Sequence, residues 1–265
     1  MQPISRTALP ADFAAALKRW RTLRKVSQME LAFRTGLSQR HLSFLETGRA
    51  QPSREAVLQI STALDVPLRE RNTLLTHAGF ASVYSESPVP APELVHARRA
   101  LELLLKHHEP YPALVLDPVC NIVMANAGMA TLAKLFPVAV DTTAQPNLIR
   151  LMLHPGGMRR YLQDWEQLAR RTLEHLRCER TNHPVNPELA DLEAELASDP
   201  AVCRPGPALN EPLDIVELRN ENVSVRLFSM LTTFWPANDV TLSELRIELF
   251  FPADEETERV FKLAG

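Results

Sequence analysis

The sequence predicts two unlike domains: an all-α N-terminal unit and an α+β C-terminal unit built on an antiparallel sheet. Three observations lead there. Residues 27–49, SQMELAFRTGLSQRHLSFLETGR, read as two short helices joined by a tight turn. Residues 82–93, SVYSESPVPAPE, place three prolines and three serines in one stretch, which opposes regular structure and marks a boundary. Beyond residue 110 the apolar spacing changes from helical to alternating and back, with strand-like runs at both ends of the region.

The N-terminal third reads as five helices, at about 11–25, 27–35, 38–46, 54–64 and 67–78, after an untethered start at 1–10. Ser27 is placed to cap the second helix, with Glu30 three positions on as a capping box requires. Gly36 ends that helix where a left-handed residue is wanted. Ser38 caps the third helix, whose Leu42 and Leu45 form its inward stripe. Pro67 suits a first helical turn, and Gly79 closes the last helix. Gln39, Arg40, Ser43 and Phe44 are left on the outer side near the start of the third helix. Gln can grip adenine and Arg guanine through paired hydrogen bonds, so such a helix fits the major groove of DNA.

Residues 13–78 resemble the lambda-repressor/Cro type of helix-turn-helix, the XRE-like family. The resemblance is carried by LKRWRTLRK, SQMELA, GLSQRHLSFLETGR, Pro52 and LQISTALDVP. It implies that Gln28 touches a phosphate and braces the recognition helix, and that Gln39, Arg40 and Phe44 read bases with Ser43 close by. Phe44 departs from the polar residue of some relatives and is open to two roles, contact with a thymine methyl or plain core. The resemblance also implies an ion pair between Arg21 and Glu46 that joins the first and third helices. Arg49, just past the recognition helix, is placed for a backbone phosphate. The expected DNA-contacting set is Gln28, Ser38, Gln39, Arg40, Ser43, Phe44 and Arg49.

Charge is divided along the chain. Residues 1–80 hold 12 Lys or Arg against 6 Asp or Glu, whereas the remainder holds 17 against 26. A basic first third suits phosphate, and an acidic remainder does not. The three cysteines, Cys120, Cys178 and Cys203, are scattered and odd in number, which points to a reducing compartment without a disulfide framework or a zinc site. There is no run of 18 apolar residues and no basic-then-apolar start, so neither a membrane span nor a signal peptide is expected, and the expected location is cytoplasmic.

In the second domain, 93–108 (ELVHARRALELLLKHH) is helical, with Leu94, Ala97, Leu101, Leu104 and Leu105 as one stripe that covers a sheet or makes a dimer contact. Residues 113–116 and 121–125 read as a hairpin around Asp117 and Pro118. Residues 126–136 read as helix or turn, and 147–153 as a short helix stopped by HPGG. Residues 158–180 read as one amphipathic helix, and 187–198 as a second, acidic one. A Pro-rich loop at 200–212 precedes three strands at about 214–219, 223–233 and 243–251. This order matches a PAS-like domain, an antiparallel sheet with helices across one face. YPALVLD, NIVMAN, NLIRLML, DWEQLARRTLEHLR and NPELADLEAELASDP resemble the ligand-binding domain of MmyB-like regulators. In that family fatty-acid-like molecules are the leading suggestion for the ligand. The sequence departs from the family at AVCRPGPALNEP, where an aromatic-rich stretch is usual, and at a longer final hairpin, FWPANDVTLSEL. The domains are expected at 11–80 and 93–262, with 81–92 as linker.

A ligand pocket in such a domain is apolar with a few polar anchors. Its candidate wall is Met124, Phe136, Leu148, Leu151, Met152, Met158, Tyr161, Trp165, Phe228 and Met230, each of which also suits plain core. Arg150, an Arg in an apolar helix, could bind a carboxylate, face water or pair with Asp164. HPGG lacks any accompanying Gly-x-Ser-x-Gly elbow and reads as a helix stop. His107 and His108 are adjacent and point apart; His154, His175 and His183 lack ligand spacing. No metal, cofactor or catalytic constellation is expected. The sequence therefore points to a homodimeric regulator of a double-stranded DNA operator, tuned by a small apolar ligand. The alternative is a regulator whose C-terminal domain serves only dimerisation or protein interaction.

Overall fold

The computed structural model describes residues 11–139, 145–184, 186–204 and 213–264. The start expected at 1–10 and residues 205–212 of the expected Pro-rich loop lie outside them. The chain divides into two compact units, the first taking most of its residues up to Glu86 and the second most of those from Ser87 onward.

Among the described residues the first unit contains five helices: α1 (Ala11–Leu23), α2 (Gln28–Thr35), α3 (Gln39–Glu46), α4 (Arg54–Ala63) and α5 (Leu68–His77). Ser27, Ser38 and Ser53 each accept a backbone N–H three residues on, capping α2, α3 and α4. Only half of the expected capping box forms, because the Glu30 side chain turns away to accept from Arg34 Nε at 2.8 Å. The helix ends share one device. Lys25, Asp65 and Gly79 take left-handed backbone, and the next residue turns its N–H back to a carbonyl five positions earlier: Val26 to Arg21, Val66 to Ser61, Phe80 to Leu75. That device stops α1 two residues before the expected end. It also delivers Val26 and Val66 into a core with Trp20, Leu31, Leu42, Leu45 and Leu75. Each such side chain removed from water contributes about 1.5–3 kcal/mol. After α5 the chain is held rather than loose. The Asn72 amide accepts from the backbone N–H groups of Val83 and Tyr84 and donates to Tyr84 O.

The second unit opens with a 3₁₀ turn (Pro92–Leu94) and α6 (Val95–His107). There follow β1 (Ala113–Leu116), β2 (Ile122–Ala125), α7 (Ala127–Leu135) and α8 (Leu148–Leu153). Next come a 3₁₀ turn (Met158–Tyr161), α9 (Trp165–Asn182) and α10 (Pro187–Ala197). The unit ends with β3 (Val216–Arg219), β4 (Ser224–Thr232), α11 (Val240–Glu244), β5 (Arg246–Pro252) and α12 (Glu255–Ala264). The sheet is antiparallel throughout, in the order β2-β1-β5-β4-β3, as a PAS-like domain requires. The β1–β2 turn is built by Asp117, whose carboxylate accepts from Val119 N and Asn121 N, and by Cys120 in left-handed backbone.

Four expectations need correction. The region 158–180 is not one helix: Leu162 is extended and bridges Leu218, and Gln163 N donates to Glu217 O, so pairing with β3 breaks the helical path before Trp165. The third C-terminal strand starts at Arg246, with α11 before it, instead of at 243. The terminal helix α12 was not anticipated; its Phe261 is fully buried. Helices also lie on both faces of the sheet. Leu101 and Leu105 of α6 pack with Ala113, Val115 and Ile247 on one face. Leu218, Val225 and Leu227 face the other way, into the core formed with Leu132, Leu173, Leu176 and Phe261.

Candidate nucleic-acid interface and ligand cleft

The short helix α3 is fixed from two sides. Leu42 and Leu45, both at 0 % exposure, anchor its inner stripe. At its last residue the Glu46 carboxylate accepts from Arg21 Nε at 2.5 Å and Arg21 Nη2 at 3.0 Å, and from Gln28 Nε2 at 2.7 Å. One carboxylate thus ties α1, α2 and α3 together. Burial alone would push this carboxyl up, but the bonds from Arg21 and Gln28 and the Arg21 charge outweigh it and hold Glu46 below the usual carboxylate range. The same hydrogen bond raises the affinity of Arg21 for its proton.

With the inner side locked, the outer side of α3 is available. Ser38, Gln39 and Arg40 are exposed, and Ser43 and Phe44 are half-buried. The Ser38 hydroxyl accepts from His41 N at 3.1 Å, so its acceptor role is spent on the cap. The Arg40 guanidinium lies over the Phe44 ring, 5.4 Å from its centroid. Phe44 is therefore a platform on the helix surface, in contact with the side chain one turn earlier. Gly48 in left-handed backbone closes α3 and lets Arg49 N donate to Phe44 O at 2.8 Å, which leaves the Arg49 side chain exposed just beyond the helix. Gln28 is half-buried, with one amide N–H given to Glu46. Two exposed features of this unit were missed in the sequence. Arg54, at the first position of α4, adds a cation five residues after Arg49. Met29 and Phe33 (86 % exposed) form an apolar pair one turn apart on α2. An i, i+4 apolar pair is the signal that could have found them.

The expected ligand-binding residues do not form one wall. Met124 pairs with Val115 and packs on the α6 side of the sheet. Phe228 pairs with Phe251 and stacks on it, and Phe251 meets the His108 ring, so Phe228 is on that side too. Strand pleating separates these two from the rest. On the opposite side Phe136 and Met158 belong to the packed core, and the Phe136 ring meets that of Tyr161 at 5.3 Å. Leu148 is half-buried in the first turn of α8.

Arg150 and Trp165 do converge. They line a cleft of about 490 Å³ with Ile149, Leu153, His154, Pro155, Arg159, Leu192, Glu195, Leu196, Ser198, Asp199, Pro200 and Val202. Arg150 pairs with Glu195 of α10 at 2.9 Å, not with Asp164. Arg159 pairs with Asp199 at 2.8 Å, and its guanidinium carbon lies over the Trp165 ring, 3.3 Å from the centroid. Arg159, Glu195 and Asp199 were missed in the sequence because their partners are 40 or more residues away. Among the described residues no group of three or more His, Cys, Asp or Glu could hold a metal ion. No helix among them is long and apolar enough to cross a membrane.

Comparison with known families finds two matches. Residues 17–71 match the helix-turn-helix family, and residues 97–264 match the MmyB-like transcription regulator ligand binding domain. A search of curated proteins finds no match.

Proposed function

Since the chain belongs to the transcription regulators with an MmyB-like ligand-binding domain, joined here to a DNA-binding helix-turn-helix, we propose that it reads a specific operator and that a small, largely apolar effector controls this reading. In this proposal residues 11–80 are the DNA-binding domain, 81–92 the linker and 93–262 the effector domain. The location is the compartment that holds the DNA, the cytoplasm.

One observation carries the DNA reading. The exposed Gln39 and Arg40 stand in the first turn of a helix whose opposite side is held by Leu42, Leu45 and the Arg21–Glu46–Gln28 group. Rigid presentation of an amide and a guanidinium at a helix start suits base edges in the major groove. Gln39 is assigned to adenine and Arg40 to guanine, with Phe44 beside them. Gln28, Ser38, Ser43 and Arg49 are assigned to the sugar–phosphate frame, which sets register. As a homodimer, the protein would span two half-sites about 34 Å apart on one face of the duplex.

The effector reading rests on the family match of the C-terminal region together with the cleft beside Arg150 and Trp165. An effector acts only through a difference in affinity for two arrangements of the protein. The competing reading, a C-terminal domain for dimerisation alone, is favoured by the exposed Met230 and Leu231 on β4. Selection of genomic DNA fragments by the purified full chain tests the main proposal. A recurrent motif with two related half-sites is the expected result, and recovery of random fragments contradicts it.

A further inference from the structure

Among the described residues that line the α8–α10 cleft, both signs of charge occur in equal number. Arg150 and Arg159 supply two positive charges, and Glu195 and Asp199 supply two negative ones, each Arg already holding one acid at 2.8–2.9 Å. Behind the rim the surface is apolar, with Ile149 and Leu153 from α8 facing Leu192 and Leu196 from α10. The Trp165 indole, covered by the Arg159 guanidinium, also lines the cleft. A cleft of about 490 Å³ is in the range of small-molecule sites.

From this arrangement we infer that the cleft binds an amphipathic zwitterion, an apolar amino acid or a dipeptide of such residues; the inference rests on reading this domain as the effector domain. The physical argument is one of charge pairing. A ligand with a lone carboxylate, such as a fatty acid, must share a guanidinium already bonded to Glu195 or Asp199, and the negative charge it adds is offset by nothing among the lining residues. Such an uncompensated charge is costlier at the partly buried Arg159–Asp199 pair than at the half-exposed Arg150–Glu195 pair. A head group with both an ammonium and a carboxylate leaves no charge over: its carboxylate meets the Arg, and its ammonium meets the acid beside it. The apolar side chain then covers the leucine floor.

The same exchange has a mechanical result. The two bridges join α8 and the following 3₁₀ turn to α10 and the residues just after it. Routing one of these bridges through a ligand changes how α10 is held, and this supplies the two arrangements an effector must tell apart.

The test is calorimetry and thermal melting of the full-length protein with apolar L-amino acids and their homodipeptides. Controls are 2-phenylethylamine, 3-phenylpropanoate and dodecanoate. At least one zwitterion is expected to bind saturably, with the single-charge analogue of matching side chain weaker by about tenfold or more. Arg159→Gln is expected to abolish that preference. Glu195→Gln, at a half-exposed position where folding is not at risk, is expected to weaken the zwitterion and spare the carboxylates. If no zwitterion raises the melting temperature, or if dodecanoate binds with an affinity that neither variant alters, the inference is overturned while effector control itself still stands. If a zwitterion binds here but operator affinity does not change, the site holds and effector control fails.

Discussion

The Arg21 guanidinium meets the Glu46 carboxylate through two nitrogens, at 2.5 and 3.0 Å, across 25 residues of sequence. The pair holds the end of α3 against α1, and Gln28 of α2 adds a third strut to the same carboxylate.

Removing one side of this pair strands the other. Arg21→Met leaves Glu46, whose side chain is only 4 % exposed, without its cation. The expected loss of stability is about 2–4 kcal/mol, near the lower end for a buried pair because Arg21 keeps some contact with water. The double change Arg21→Met with Glu46→Leu should recover much of it, as read by denaturant unfolding.

The pair also sets a pH dependence. The Glu46 carboxyl is held below its usual range in the folded protein. A depressed acid stabilises the fold above its unfolded pKa, and this contribution is lost as pH falls through the folded value. Melting temperature should therefore drop on acidification below about pH 4. The drop should be smaller in Glu46→Gln than in the unchanged protein.

Burial acts with the opposite sign on Glu248 of β5. It pushes that carboxyl up, against the hydrogen bond from Ser229. A raised acid costs stability once pH exceeds its unfolded pKa. Glu248→Gln is thus expected to be neutral or stabilising by up to about 1 kcal/mol at pH 7, and the gain should vanish at acid pH. Thermal melts of the two proteins across pH check this.

The three cysteines should separate by reactivity. Cys178 and Cys203 are exposed, whereas burial pushes the Cys120 thiol up to about 11. At neutral pH a thiol-specific reagent should modify two residues quickly in the folded protein and the third only on unfolding. Mass analysis of the modified peptides identifies them.

Arg49→Ala should weaken binding to all duplexes alike and lower the salt slope of affinity by about one. An unchanged slope removes Arg49 from the interface.

What was legible in the sequence is what local chemistry decides. Ser27, Ser38 and Gly36 announce the ends of α2 and α3 within four residues of themselves, and the structure places them as caps. The order of strands and helices was also enough for the PAS-like sheet. What was not legible depends on distant partners. The helical stripe from Met158 to Leu176 continues across Leu162, and only pairing with Leu218, 56 residues on, breaks it. Likewise Arg150 carries no sign that its acid is Glu195 instead of Asp164. Met124 and Phe228 have wall-like side chains, but the face they occupy is set by strand register with Val115 and Phe251. The helix α12, by contrast, carries local signals of its own: Asp254 caps Thr257 N, three acids occupy the first turn, and Phe261 provides the buried side chain.

The central claim is that the first turn of α3 reads bases. The direct measurement is the affinity of the full chain for its selected operator and for every single-base variant of one half-site, with and without Arg40→Ala. The account predicts a loss of about 1–3 kcal/mol on the operator and the disappearance of preference at one base pair, with the others unchanged. Equal weakening on operator and random duplex, with the base preferences intact, contradicts it.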